Sequence, residues 1–318
     1  MSPVDVTEQG TSVLIPSPLI PGDAVGVVAA SGPVDPALLA AGVQFLEQRG
    51  FRVVRGEHVL ECNGYLAGTD GQRRSDLNAM LRDPGIRAVL FARGGYGIMR
   101  VLDSLDHQAV HRDAKLLLGM SDLAALQLSL FAQCRLVSLS GPMVGVQIGA
   151  GLDPLSEEWL LQALTSPLAG RELLPPGFDS LRVVRSGDAR GALLGGCLSM
   201  VTALLGTKHA PSFTGAILLL EDLNEPLYRI DRMVTQLRLA GVLGDVVGVV
   251  LGHFVGPDGE DLGEGTDRLV REATADNPVP IISGFPHGHS LPNLTVPHGI
   301  PVELRTDPPS LTVIADAS

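Results

Sequence analysis

The stretch "LLLGMSDLAALQLSLF", residues 116–131, decides the fold. It opens on an apolar run that stops at Gly119. Ser121 follows, and after it leucines and alanines recur at helical spacing. A short apolar run, a turn and a 3.6-period pattern read as a buried strand entering a helix, the unit from which parallel sheets are built. Ser121 then stands at the tightest point between the two. A serine there is either a helix N-cap or a nucleophile. As a nucleophile it would have the backbone N–H of Asp122 beside it to hold an oxyanion. "GMSDL" lacks the second glycine of G-x-S-x-G, so by itself it reads as an ordinary helix start.

Working outward, "AVGVVAAS" at residues 24–31 reads as a strand, and "DPALLAAGVQFLEQRGF" as a helix stopped by Gly50. "RVVR" is a strand, "SDLNAMLRD" a helix capped by Ser75, and "IRAVLFARGGYG" a buried strand running into a glycine loop. Another strand lies around "RLVSLSG". This alternation predicts a doubly wound parallel sheet through about residue 145. Functional residues of such sheets gather at the carboxyl ends of the strands, where both "ARGGYG" and "GMSD" fall. Residues 150–189 form a Pro/Gly-interrupted connector with one helix carrying Trp159. Beyond it, "GALLGGCLSMVTALLG" reads as a glycine turn entering a helix, and "GAILLLED" as a strand ending in acid. "YRIDRMVTQLRLAG" is a helix closed by Gly241, and "VVGVVLGHF" a strand. "PVPIISGFPHGHS" is a strand ending in two histidines, and "VELRTDPPSLTVI" a hairpin. The organisation expected is a tail at 1–21, a nucleophile-bearing α/β domain at 22–149, the connector, and a second domain at 190–318.

A chain of 318 residues exceeds what one core usually serves. Its net charge of −12 argues against nucleic-acid and anionic-membrane partners, which need basic patches. Cys62, Cys134 and Cys197 form no CxxC pair, which points away from disulfides and structural zinc and toward a reducing cytoplasm. The first 21 residues lack a basic n-region and are broken by Pro16 and Pro18, so they read as a loosely packed tail rather than a signal peptide. The apolar run "VVGVVLGHFVG" is too short to span a bilayer.

A nucleophilic serine needs a base, and histidine is the usual one near neutral pH. His107 and His111 fall on a surface helix, His58 and His209 in polar loops, His253 after a strand and His298 after "TVP". His287 and His289, at a strand end, are best placed. No third ligand lies near that pair, so no metal is expected. The carboxylate that orients a base would come from Glu221, with Asp222 pointing to the other side and Glu225 further into the loop. In "RGGYG" an N–H of Gly94 or Gly95 could face Ser121. This loop is neither a Walker loop nor a dinucleotide fingerprint.

In this order, "ARGGYG", "LLLGMSDLAAL", "LLLEDLNEPLYRIDRM" and "GFPHGHS" resemble the LD-carboxypeptidase family. These are serine peptidases of murein recycling, whose relatives include the microcin C self-immunity carboxypeptidases. The resemblance runs from about residue 22 to 314. It implies a flavodoxin-like first domain and a smaller, swivelling β/α second domain, with the site in the cleft between them. It also implies a triad of Ser121 as nucleophile, His289 as base and Glu221 as its orienting partner. Oxyanion donors would lie near Gly94, Gly95 and Asp122, with Arg93 for the substrate's terminal carboxylate. No cofactor is implied. The substrate would be a small peptide, foremost the terminal D-Ala of a murein tetrapeptide, or alternatively a peptide–nucleotide conjugate, and the assembly a homodimer. An aromatic in the connector would favour the nucleotide branch, and Trp159 is the candidate weighed there. A non-catalytic binding protein on the same scaffold and a nucleotide-dependent dehydrogenase are more distant readings. The chain departs from the family pattern at Met120 (often aromatic), Ala124 (often Thr), Ser140 (often His) and Cys197 (usually Asn), departures that alter the pocket but leave the triad intact.

Overall fold

The computed structural model describes residues 13–314 apart from 176 and 179. The first half runs β1 (Ala24–Val28), α1 (Pro36–Gln48), β2 (Arg52–Arg55), α2 (Asp70–Arg82), β3 (Ile86–Phe91), α3 (His107–Arg112), β4 (Leu116–Gly119), α4 (Ala124–Cys134), β5 (Ser138–Ser140) and α5 (Pro154–Thr165). The second half runs β6 (Arg182–Arg185), β7 (Ala189–Cys197), α6 (Leu198–Leu204), β8 (Ile217–Leu223), α7 (Leu227–Leu239), α8 (Val242–Asp245), β9 (Gly248–Val255), α9 (Gly263–Ala273), β10 (Ile281–Ser283), β11 (Val296–His298), β12 (Pro301–Thr306) and β13 (Pro309–Val313).

Two sheets result. The first has the order β11-β5-β4-β3-β1-β2, with β1 to β5 parallel. Its β2-β1-β3-β4-β5 core is the flavodoxin-like winding expected. The second sheet is larger in strand number. It has seven strands against six, in the order β13-β12-β7-β8-β9-β10-β6, with a parallel β7-β8-β9-β10 centre. β4 and β3 are almost wholly buried, which is why they read as unbroken apolar runs rather than alternating ones. α4 is buried from Ala124 to Phe131 on every side, because one face covers the first sheet and the other meets α6 and β7. Each leucine so buried contributes roughly 1.5–3 kcal/mol, and these side chains lock the two sheets together beside the cleft.

The sheets are also joined by the chain itself. β11, from late in the sequence, pairs antiparallel with β5 in the first sheet, and β6, from the expected connector, pairs antiparallel with β10 in the second.

Several expectations change. The helix over "SDLNAMLRD" begins earlier. Thr69 caps it in a reciprocal box with Gln72, and Ser75 lies inside it. "GALLGGC" is a strand, not a glycine turn, because residues 193–197 pair with β8 at every position. The expected tail lies outside the described residues up to 12. Residues 13–21 pack instead of hanging free. Leu14 bridges to Leu136, and Leu19 is buried with its N–H donated to the Leu164 carbonyl, since extended, proline-stiffened chain loses little entropy on docking. No described helix is long and apolar enough to cross a membrane.

Candidate active site

The turn after β4 delivers Ser121. Its backbone sits at φ 63°, in the left-handed region, and a short 3-10 turn over Ser121–Leu123 continues into α4. A non-glycine residue there stores about 1–3 kcal/mol of strain, so Ser121 is no routine N-cap. Its side chain caps no helix N–H. The turn is possible because Gly94 presses against it. A Cβ on Gly94 would lie 2.9 Å from the Ser121 Cβ and 3.2 Å from its Oγ. The closeness that G-x-S-x-G achieves within one loop is here shared between two loops. Among the described residues the N–H groups of Gly94, Gly95 and Asp122 donate to no protein acceptor, so they are available near the Ser121 hydroxyl.

The Asp122 side chain has a role that sequence reasoning missed. Buried, it accepts from Ser31 Oγ at 2.6 Å and from the Ile98 N–H at 2.8 Å. Burial raises its pKa, and the Ser31 hydrogen bond partly opposes this. Asp122 therefore staples the loops after β1 and β3 onto the Ser121 turn. Arg73, also buried, ties the same loops from below through the carbonyls of Ala30 and Gly97. An acid immediately after the serine and an arginine on the buried side of a helix were the available signals.

The second sheet delivers the other two residues. Glu221 lies near the end of β8, 1% exposed. Its Oε2 is 2.7 Å from His289 Nδ1. Burial alone would lower the His289 pKa, but the Glu221 charge and hydrogen bond outweigh it and hold the pKa above its ordinary value. With Nδ1 engaged, Nε2 is the nitrogen left for chemistry. His287 goes elsewhere. It is fully buried, with Nε2 3.1 Å from Ser140 Oγ and Nδ1 2.8 Å from the Leu294 carbonyl, and burial lowers its pKa. Gly288 separates the two histidines at φ 128°, and a Cβ there would lie 2.9 Å from Glu221 Oε2. The glycine thus lets one ring turn into the core and the other toward the cleft.

Ser121 and His289 line one cleft of about 390 Å³ with Gly94, Gly95 and Asp122. Ser121 Oγ is not hydrogen-bonded to His289, a geometry that substrate commonly tightens. Arg93 stands at the rim, donating to the Pro33 carbonyl at 2.8 Å. Asp222 and Glu225 also line the cleft, contrary to the expectation that neither faces it. A register shift between Leu220 and Asp222 turns consecutive side chains to the same side. Asp222 accepts the N–H groups of Ser199 and Leu223. Its pKa is raised to about 6, first by burial and then by the Glu221 charge. A second cavity, of about 300 Å³ beside Leu116 at the opposite end of β4, carries no titratable lining residue and offers no chemistry.

Family models for the LD-carboxypeptidase N-terminal and C-terminal domains match residues 25–141 and 190–304. The chain belongs to the LD-carboxypeptidase family. As a member it is a carboxypeptidase. It is 40% identical to a Streptomyces coelicolor protein provisionally named a carboxypeptidase, over 94% of this chain and 95% of that one. It is 34% identical to the murein tetrapeptide carboxypeptidase of Pseudomonas aeruginosa, over 86% of this chain and 91% of that one. The wild-type apo structure of the microcin C7 self-immunity protein superposes with a TM-score of 0.87 over 95% of this chain and 98% of that one, at 24% identity.

Two departures from the family pattern now have a place. Ser140 is the hydrogen-bond partner of His287. Cys197 lines the cleft 3.2 Å from Ser199 Oγ and 3.4 Å from Asp222 Oδ1. Burial, then the Glu221 and Asp222 charges, push its thiol well above the usual range, so it is no competing nucleophile.

Proposed function

We propose that this family member hydrolyses the amide between an L-centre and a C-terminal D-amino acid, the D-Ala of a murein tetrapeptide, through Ser121, His289 and Glu221. The observation that carries this reading is the 2.7 Å Glu221–His289 hydrogen bond at a cleft shared with a left-handed Ser121. Ser121 Oγ attacks the scissile carbonyl carbon while its proton passes to His289 Nε2. Glu221 fixes the ring tautomer and stabilises the imidazolium. The N–H groups of Gly95 and Asp122, with Gly94 alongside, hold the oxyanion. Collapse breaks the C–N bond, and His289 hands its proton to the departing D-Ala amine. Water, deprotonated by His289, then releases the acyl group and regenerates Ser121.

The peptide–nucleotide alternative is less well supported. Neither aromatic of the connector lines the cleft: Trp159 lies on α5, and Phe178 packs against the core of the second sheet. Mass spectrometry of products from a murein tetrapeptide, run beside an aminoacyl-nucleotide phosphoramidate, tests the reading. Free D-Ala and a tripeptide are expected, unaffected by EDTA. Cleavage of the nucleotide conjugate with the tetrapeptide untouched would overturn it.

A further inference from the structure

Beside the catalytic cleft lies a groove of about 570 Å³ lined by Gly32, Pro33, Tyr65, Arg93, Gly95 and Tyr96, which shares Arg93 and Gly95 with the cleft. The groove lies outside the carboxyl ends of β1 and β3, where the strand order of the first sheet reverses. Open parallel sheets bind ligands at that point. Its walls are firmly tied. The Gly32 N–H donates to the Gly94 carbonyl and the Ala67 N–H to the Ser31 carbonyl, above the buried Arg73 guanidinium. Two of the chain's three tyrosines stand here in the open, Tyr65 at 67% and Tyr96 at 49% exposure. Their rings are 5.6 Å apart and tilted 64°. Large rings left this exposed beside a cleft are not serving the core. Among the described residues lining cleft and groove, Arg93 is the sole lysine or arginine, and its recorded acceptor is one carbonyl. A guanidinium has five N–H donors, so several remain for an anion.

We propose that this groove is a subsite for the acyl-side extension of the substrate, taking an extended peptide whose aliphatic stems lie against Tyr65 and Tyr96 and whose free carboxylate meets Arg93. The proposal rests on the L,D-carboxypeptidase reading above. An enzyme that removes one terminal residue must house the longer remainder of its substrate on the acyl side, and the groove adjoins the cleft through Arg93 and Gly95. The murein acyl portion is a chain of this kind, with a γ-linked D-glutamate that keeps its α-carboxylate free. Arg93 then serves the acyl side rather than the leaving residue.

The test compares kcat/KM on L-Ala-γ-D-Glu-meso-diaminopimelyl-D-Ala with that on the truncated N-acetyl-meso-diaminopimelyl-D-Ala. Wild type, Tyr65→Ala, Tyr96→Ala and the two Tyr→Phe variants are compared, with thermal melts to verify folding. The ratio of full-length to truncated kcat/KM should fall about tenfold in each Ala variant, the scale of one lost ring contact, and return in the Phe variants. An unchanged ratio, or Phe variants as impaired as the Ala variants, would overturn the subsite. So would adenosine monophosphate binding that the Ala variants abolish while the peptide ratio stays constant. A wild-type enzyme that cleaves neither peptide would overturn the L,D-carboxypeptidase reading itself, and the subsite with it.

Discussion

The turn after β4 and the loop after β10 each deliver one polar side chain to the same cleft, and they do it by different physics. Ser121 is placed by its backbone. A left-handed φ, pressed on by Gly94, fixes where the hydroxyl lies, with no side-chain hydrogen bond among the described residues. His289 is placed by electrostatics and packing. Its ring is held by Glu221, in a loop whose Phe285, His287, Asn293 and Leu294 are fully buried. The position of Ser121, the proposed nucleophile, should therefore survive changes of charge, and that of His289, the proposed base, should not.

Removing the reactive groups gives the largest effects. Ser121→Ala and His289→Ala should each lower kcat on the order of 10⁶-fold, as for triad members that act as a unit. Ser121→Gly should be equally inactive yet more stable than Ser121→Ala by about 1 kcal/mol, because glycine occupies the left-handed region without strain. Equal urea midpoints for the two variants would break the backbone half of the contrast.

Next comes Glu221→Gln, expected to lower kcat on the order of 10⁴-fold by analogy with a triad aspartate changed to asparagine. With its charge gone, burial is opposed far more weakly and the His289 pKa should drop. An NMR titration in which that pKa stays in place would break the electrostatic half.

His287→Ala is a stability variant rather than an activity variant. It empties a buried site and strands the Ser140 hydroxyl and the Leu294 carbonyl, so it should cost about 2–4 kcal/mol of folding free energy. The kcat of the folded fraction should change little. A large loss of kcat with the unfolding midpoint unchanged would reverse the roles of the two histidines.

The smallest effects are in pH dependence. As the proposed base His289 must be neutral, so kcat/KM should rise with pH along a limb centred above 6.5. The sign for stability is opposite. With the folded pKa above the unfolded one, the His289 contribution is complete in acid and fades as pH climbs through the raised value. Asp222 also raises the His289 pKa, as the weakest contributor. Asp222→Asn should move the limb down by less than the shift Glu221→Gln produces in the titration. A limb below 6.5 in wild type would show that burial wins over Glu221.

Much of this molecule could be read along the chain, because strand and helix periods are local properties. β1 to β5 and their helices declare themselves through apolar runs and 3.6-residue spacing. The turn at Ser121, the acid closing β8 and the histidines after β10 stand in the order that marks the family. What sequence could not decide depends on residues far apart meeting in space. Gly288 determines which histidine reaches the cleft, and only its distance from Glu221 reveals this. The register shift in β8 brings Asp222 into the cleft beside Glu221, a displacement invisible in a run of leucines. β6 has the same four residues, RVVR, as β2, and β11 is as short as β5, so local pattern does not tell them apart; both are seated by pairing at an open sheet edge. Tyr65 and Tyr96 lie on different loops and become a pair only where β1, β2 and β3 align side by side. Sequence by itself determined most of the elements and the residue types that could carry the chemistry. Tertiary structure alone decided which side chains meet, because contact between distant residues is set by packing and register rather than by local propensity.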